Sequence, residues 1–173
     1  MNKNEIGKLI TKVSEGDNNA FLTLYKATVR GVYAYLYTYF KNSADTQDAT
    51  QTVYLKVKTK SNQFKYGTNG LAWLLQIAKN HAIDVLRKQD KTVPLENAYG
   101  VCANQVCEHK NSVTEVMQKV LSEDEQRIVV MHVLWGYKHK EIALLNQTPL
   151  GTVTSKYKRA IAKLKNALKE ERQ

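Results

Sequence analysis

Between Gly136 and Leu168 the chain reads as a short helix, a tight turn and a long basic helix, a combination that few folds accommodate. The first helix runs from about Lys138 to Leu145 and offers Ile142, Ala143 and Leu145 as inward residues. Asn146 and Gln147 break it. Thr148 and Pro149 restart the chain, because a threonine oxygen can cap free N–H groups and proline suits the first helical position. Val153, Tyr157, Ala160, Ile161, Leu164 and Leu168 then recur at helical spacing as one apolar stripe. Thr148, Thr152, Thr154, Ser155, Lys156, Lys158 and Arg159, with Lys163 beyond them, supply hydroxyls and cations suited to phosphates and base edges. A basic helix whose apolar stripe is held by a shorter helix across a tight turn is the shape of a helix-turn-helix reader of duplex DNA.

Charge distribution agrees with that reading. From Lys138 to Gln173 there are nine Lys or Arg against three acids, whereas Thr92 to Tyr137 holds three against six. The first 91 residues carry fourteen against seven, so two basic stretches flank an acidic middle within a net charge of +10. Such a distribution points to polyanion binding at both ends, nucleic acid before membrane surface. No apolar run approaches the length that spans a bilayer and the first twenty residues lack a signal-like core, so a cytoplasmic location is expected. Cys102 and Cys107 are the only cysteines, and with His109 they lack close-pair zinc spacing. Free thiols, no metal and no cofactor are expected.

Two prolines and eight glycines leave long periodic segments, which predicts an all-α chain of two helical domains joined by a linker. The first domain covers residues 1–91, the linker 92–112 and the helix-turn-helix domain 113–173. Asn2 to Val13 forms a short amphipathic segment. A long helix from about Ala20 to Phe40 buries Phe21, Leu24, Tyr25, Val29, Val32, Tyr33 and Leu36, overriding the strand-like alternation of Tyr33, Tyr35, Tyr37 and Tyr39. The next helix, to about Lys60, carries Asp48, Gln51, Thr52 and Leu55 on one face opposite Val53 and Val57. Phe64, Lys65, Tyr66, Gly67, Asn69 and Gly70 make a loop of aromatic, basic and amide groups suited to unpaired bases. A third helix, Leu71 to Lys88, sets Trp73, Gln76, Asn80, Asp84 and Arg87 away from its apolar side. After the linker, Ser122 and Glu125 form a capping-box pattern ahead of core residues Ile128, Val129, Met131, Val133, Leu134 and Trp135.

Several short stretches, in this order and spacing, resemble bacterial RNA polymerase sigma factors of the extracytoplasmic-function type. They are Asp48 to Leu55, Ala72-Trp73-Leu74, Ile77 to Asn80, Ala82-Ile83-Asp84 with Arg87, Ser122 to Gln126, Glu141-Ile142-Ala143, and Gly151-Thr152-Val153 with Ser155, Arg159, Ala160 and Leu164. The resemblance implies that Asp48, Gln51, Thr52 and Leu55 dock on core RNA polymerase. It implies that Phe64, Lys65, Asn69, Trp73, Lys79, Asn80 and Arg87 capture the melted minus-10 element. The helix from Pro149 would read the minus-35 element as duplex. Thr52 stands where an acid is usual, Leu71 where an aromatic is common, and Asn146-Gln147 in place of Leu-Gly. Expected partners are core RNA polymerase, promoter DNA and an anti-sigma factor, with no small-molecule substrate. A dimeric regulator and a metal-dependent nuclease using Asp45, Asp48 and Asp84 are the competing readings, separated by polymerase binding and by magnesium-dependent cleavage.

Overall fold

Asp17 starts a 23-residue helix of the first lobe by accepting hydrogen bonds from the N–H groups of Asn19 (2.8 Å) and Ala20 (3.0 Å). The computed structural model describes residues 3–92 and 113–170, and among these no strand occurs. α1 (Lys3–Ser14) buries Ile6, Ile10 and Val13 at i, i+4 and i+7. α2 (Asn18–Phe40) ends where Lys41 turns left-handed at φ 60° and its N–H reaches the Tyr37 carbonyl at 3.0 Å. α3 (Ser43–Lys60) begins with the Asn42 side-chain oxygen accepting from the Asp45 N–H at 2.8 Å. A single 3-10 turn, Ser61–Gln63, leads into the loop before α4 (Gly70–Thr92).

These helices share a core of Leu24, Val32, Leu36, Val53, Val57, Leu74 and Ala78, all fully buried. Each buried leucine or valine side chain of this set contributes about 1.5–3 kcal/mol. Thr28 carries polar groups into that core without an orphan: its hydroxyl donates to the Leu24 carbonyl and meets the Tyr54 hydroxyl at 2.6 Å, joining α2 to α3. The alternating tyrosines are helical, as expected. Tyr33 stacks on Tyr37 (5.9 Å) and Tyr35 meets Tyr39 edge-on (5.5 Å), since residues four apart share a helix face. Tyr35 lies deep in the core, whereas Phe21, Val29 and Tyr33 are half-buried and Tyr25 is 38% exposed, which corrects the full burial expected of these four.

The second lobe holds α5 (Val113–Val120), α6 (Glu123–Val133), α7 (His139–Asn146) and α8 (Leu150–Glu170). α8 packs on the other three, burying Val153, Ala160 and Leu164 in the core to which Ile128 and Ile142 also belong. Ser122 and Glu125 form the expected capping box, each accepting the other's backbone N–H. Gln147 takes the left-handed conformation that ends α7, at φ 52°. Other local expectations are corrected. The Thr148 hydroxyl donates to the Asn146 carbonyl, and Pro149 precedes the helix, its carbonyl accepting from Val153 N–H at 3.2 Å. Val133 and Leu134, expected in the core, are 60% and 54% exposed, and Leu168 is 39% exposed at the end of its stripe.

α2 also packs on α6, so the lobes touch directly. Residues 93–112, with Cys102, Cys107 and His109, lie outside the described residues. Among those described, no helix is long and apolar enough to cross a membrane.

Candidate polymerase and nucleic-acid interfaces

α3 is fixed from below by Ala49, Val53, Tyr54 and Val57, which leaves Asp48, Gln51 and Leu55 pointing outward. Leu55 is 65% exposed, an apolar side chain among polar ones. Thr52 is half-buried at the edge of a groove between α3 and α4 that Asp48, His81 and Val85 also line. Burial lowers the pKa of His81, and the Lys56 ammonium 3.0 Å from its Nδ1 adds to that. The four expected docking residues thus form one continuous outer face.

The minus-10 set is more scattered. Phe64 is only 9% exposed: its ring meets Trp73 edge-on at 5.5 Å and lies beside Gly7, so it is a core residue and not a stacking platform. Tyr66, 67% exposed on the same loop, is the ring left free to stack. Lys65 beside it is exposed. Asn69 is occupied structurally, its side-chain oxygen accepting from Ala72 N–H (3.1 Å) at the start of α4. The loop can lie this close to α1 because both Gly70 and Gly7 lack side chains; a Cβ on Gly70 would stand 2.7 Å from the Gly7 nitrogen. Trp73 is half-buried behind Phe64, while Asn80, accepting from Gln76 at 2.7 Å, and Arg87 are exposed. Lys79 faces the seam between the lobes.

On α8, Ser155, Lys158 and Arg159 are exposed, and Thr152 and Thr154 half-buried. Lys156 differs from the free phosphate-binding cation expected: its ammonium contacts Asp124 on α6. Asp124 is held below the usual carboxylate range by its hydrogen bonds to Lys156 and then to Arg127. Lys163 similarly meets Glu125 at 2.8 Å. Burial works against ionisation of Glu125, yet Lys163 and the Ser122 backbone keep its carboxyl below the ordinary range. Acids of α6 therefore neutralise part of the basic face of α8. The acidic middle of the sequence supplied the signal for this, but not the pairing.

Behind the turn, His132, His139 and Tyr157 bring three rings within 4.7–4.8 Å of one another. The His132 Nδ1 is 2.7 Å from the Tyr137 carbonyl, and His139 Nδ1 lies 3.5 Å from the Thr154 hydroxyl. Burial, reinforced by His132, lowers the pKa of His139. Sequence periodicity gave no sign of this cluster, because its three members come from three different helices.

The seam is held by Trp135 over Gly31, by Arg127 stacked 4.8 Å from the Tyr39 ring centre and by Lys41 with Glu123 at 2.7 Å. Tyr137 is almost wholly buried there, its hydroxyl raised by burial and countered by the Asn69 side chain facing it. Trp135 and Asn69, assigned from sequence to separate domains and roles, thus both serve the contact between lobes.

Residues 24–92 match the family model described as Sigma-70 region 2, and residues 117–164 match Sigma-70, region 4. The chain is 24% identical over 176 residues to an ECF RNA polymerase sigma factor, SigK, of Mycobacterium ulcerans, covering 95% of this chain and 94% of that one. SigK of Mycobacterium tuberculosis gives the same identity and coverage. Among solved structures, CnrH in complex with the cytosolic domain of CnrY has a TM-score of 0.65 at 17% identity, covering 96% of this chain and 98% of that chain. The sigma factor RpoE in complex with the anti-sigma factor NepR from Bartonella quintana gives 0.64 at 22%, covering 86% and 96%.

Proposed function

This chain belongs to the sigma-70 family, as a factor of the extracytoplasmic-function type with regions 2 and 4, and from that membership we propose how its faces divide the work of transcription initiation. Asp48, Gln51, Thr52 and Leu55 dock on core RNA polymerase in the cytoplasm. Lys65, Asn80 and Arg87, with Tyr66 replacing Phe64 as the stacking ring, hold the melted minus-10 strand. α8 enters the minus-35 major groove, positioned by Lys158 and Arg159 and reading bases through Thr152, Thr154 and Ser155. The polymerase supplies the chemistry, and the chain needs no catalytic residue, metal or cofactor.

The observation that carries this reading is that the α3 docking face and the Ser155–Lys158–Arg159 face of α8 both stand outside fully packed cores, one on each lobe. RpoE of Bartonella quintana is held by an anti-sigma factor. We assign this chain a partner of the same kind. Run-off transcription with core polymerase over a promoter library tests the proposal. Promoter-selective transcripts are expected, lost when Leu55→Asp removes docking and when Arg159→Ala removes duplex binding. Transcripts that persist at full level in both variants would overturn the assignment of faces.

A further inference from the structure

A cavity of about 250 Å³ opens where the lobes meet, walled by side chains from α2, α4, α6, α8 and the turn before α8. Three cations reach it: Lys79 from the first lobe, Arg127 and Lys156 from the second. Asp124 is the carboxylate that lines it, and it is already shared, 2.7 Å from Arg127 and in contact with Lys156. Glu123, the other acid near Arg127, is engaged by Lys41 at 2.7 Å. Lys79 is half-buried and has no ion-pair or hydrogen-bond partner among the described residues. A cation that shares a cavity with two others and has no carboxylate of its own is repelled by them, and an anion placed among the three would relieve that. The remaining wall is apolar, from Ile83, Ile128 and the Tyr39 ring. A cavity of this size, mixing cations with apolar wall, has room for a diphosphate group with part of what it is attached to and excludes a duplex.

We propose that this seam binds a small phosphorylated ligand, a nucleoside diphosphate or its pyrophosphate part, with phosphates bridging Lys79 of the first lobe to Arg127 and Lys156 of the second. The site goes beyond the function proposed above, which gives neither Lys79 nor Lys156 a promoter contact.

The test is calorimetric titration of the full chain with ADP, with pyrophosphate and with sulfate at matched ionic strength. One equivalent of ADP is expected to bind, at least tenfold more weakly in Lys79→Gln and unchanged in Lys12→Gln, with circular dichroism confirming that both variants fold. Pyrophosphate binding as tightly as ADP assigns recognition to the phosphates alone, and tighter ADP binding brings in the apolar wall. Absence of saturable binding at millimolar ligand, equal affinity in Lys79→Gln, or equal affinity for sulfate would overturn the site. These outcomes do not depend on polymerase, so failure of the sigma-factor assignment would be recognised separately.

Discussion

The indole of Trp135 covers Gly31 so closely that a Cβ built at position 31 would stand 2.2 Å from the ring carbon Cζ2. The absent side chain at Gly31 is therefore what lets the end of α6 lie against α2. Tyr39 with Arg127 and Lys41 with Glu123 extend the same contact along α2.

Gly31→Ala should separate the lobes while leaving each folded. Alanine favours a helix over glycine by about 0.8–1 kcal/mol, so α2 itself gains, and the clash falls wholly on the seam. Small-angle scattering should give a larger radius of gyration than the parent, and Trp135→Ala should do the same. An unchanged radius in both variants would show that the seam does not depend on this ring.

Asp124→Asn should strengthen binding to promoter duplex. It releases Lys156 to contact phosphate, which adds up to about one unit to the slope of log affinity against log salt. Arg159→Ala, removing an exposed cation with no carboxylate to release, should flatten that slope by about one unit. Salt-dependent fluorescence anisotropy on a short duplex measures both, and a slope unmoved in Asp124→Asn counts against a phosphate role for Lys156.

Phe64→Ala and Tyr66→Ala should fail in different ways. Phe64 fills the space between Trp73 and Gly7, so its truncation should cost about 3–5 kcal/mol of stability, read by urea denaturation. Tyr66 is open to solvent, and its loss should leave the midpoint unchanged while weakening single-stranded DNA binding by about 1–3 kcal/mol. A destabilised Tyr66→Ala would mean the loop depends on that ring for its own structure.

Stability should fall as pH drops below about 6.5, the ordinary histidine value. His139 has a lowered pKa in the folded chain, by burial first and His132 second, so between that pKa and 6.5 the unfolded chain binds more protons. The contribution is complete above 6.5 and is lost as pH falls through the folded value. His81 shifts in the same direction in the other lobe, through burial and then Lys56. His139→Asn should therefore remove part of the slope and leave the part due to His81; thermal melts from pH 5 to 8 check this, and an unaltered slope would exclude His139 as its source.

Periodicity, capping residues and charge were enough to identify the helices, to separate two basic lobes and to single out α8 as the basic helix proposed to read duplex. Those properties are local: Asp17, Asn42 and Ser122 cap by reaching two or three residues along their own chain, and Val153, Ala160 and Leu164 share a face because of helical pitch alone. What tertiary structure decided is which side chains remain available. Phe64 was drawn inside by Trp73 and Gly7, Lys156 was claimed by an acid thirty-two residues away, and Trp135 left its own lobe to pack on Gly31. Each of these pairings depends on distances between helices, which no pattern within one helix encodes, so the same residue types in the same order are compatible with an open surface or with a neutralised one.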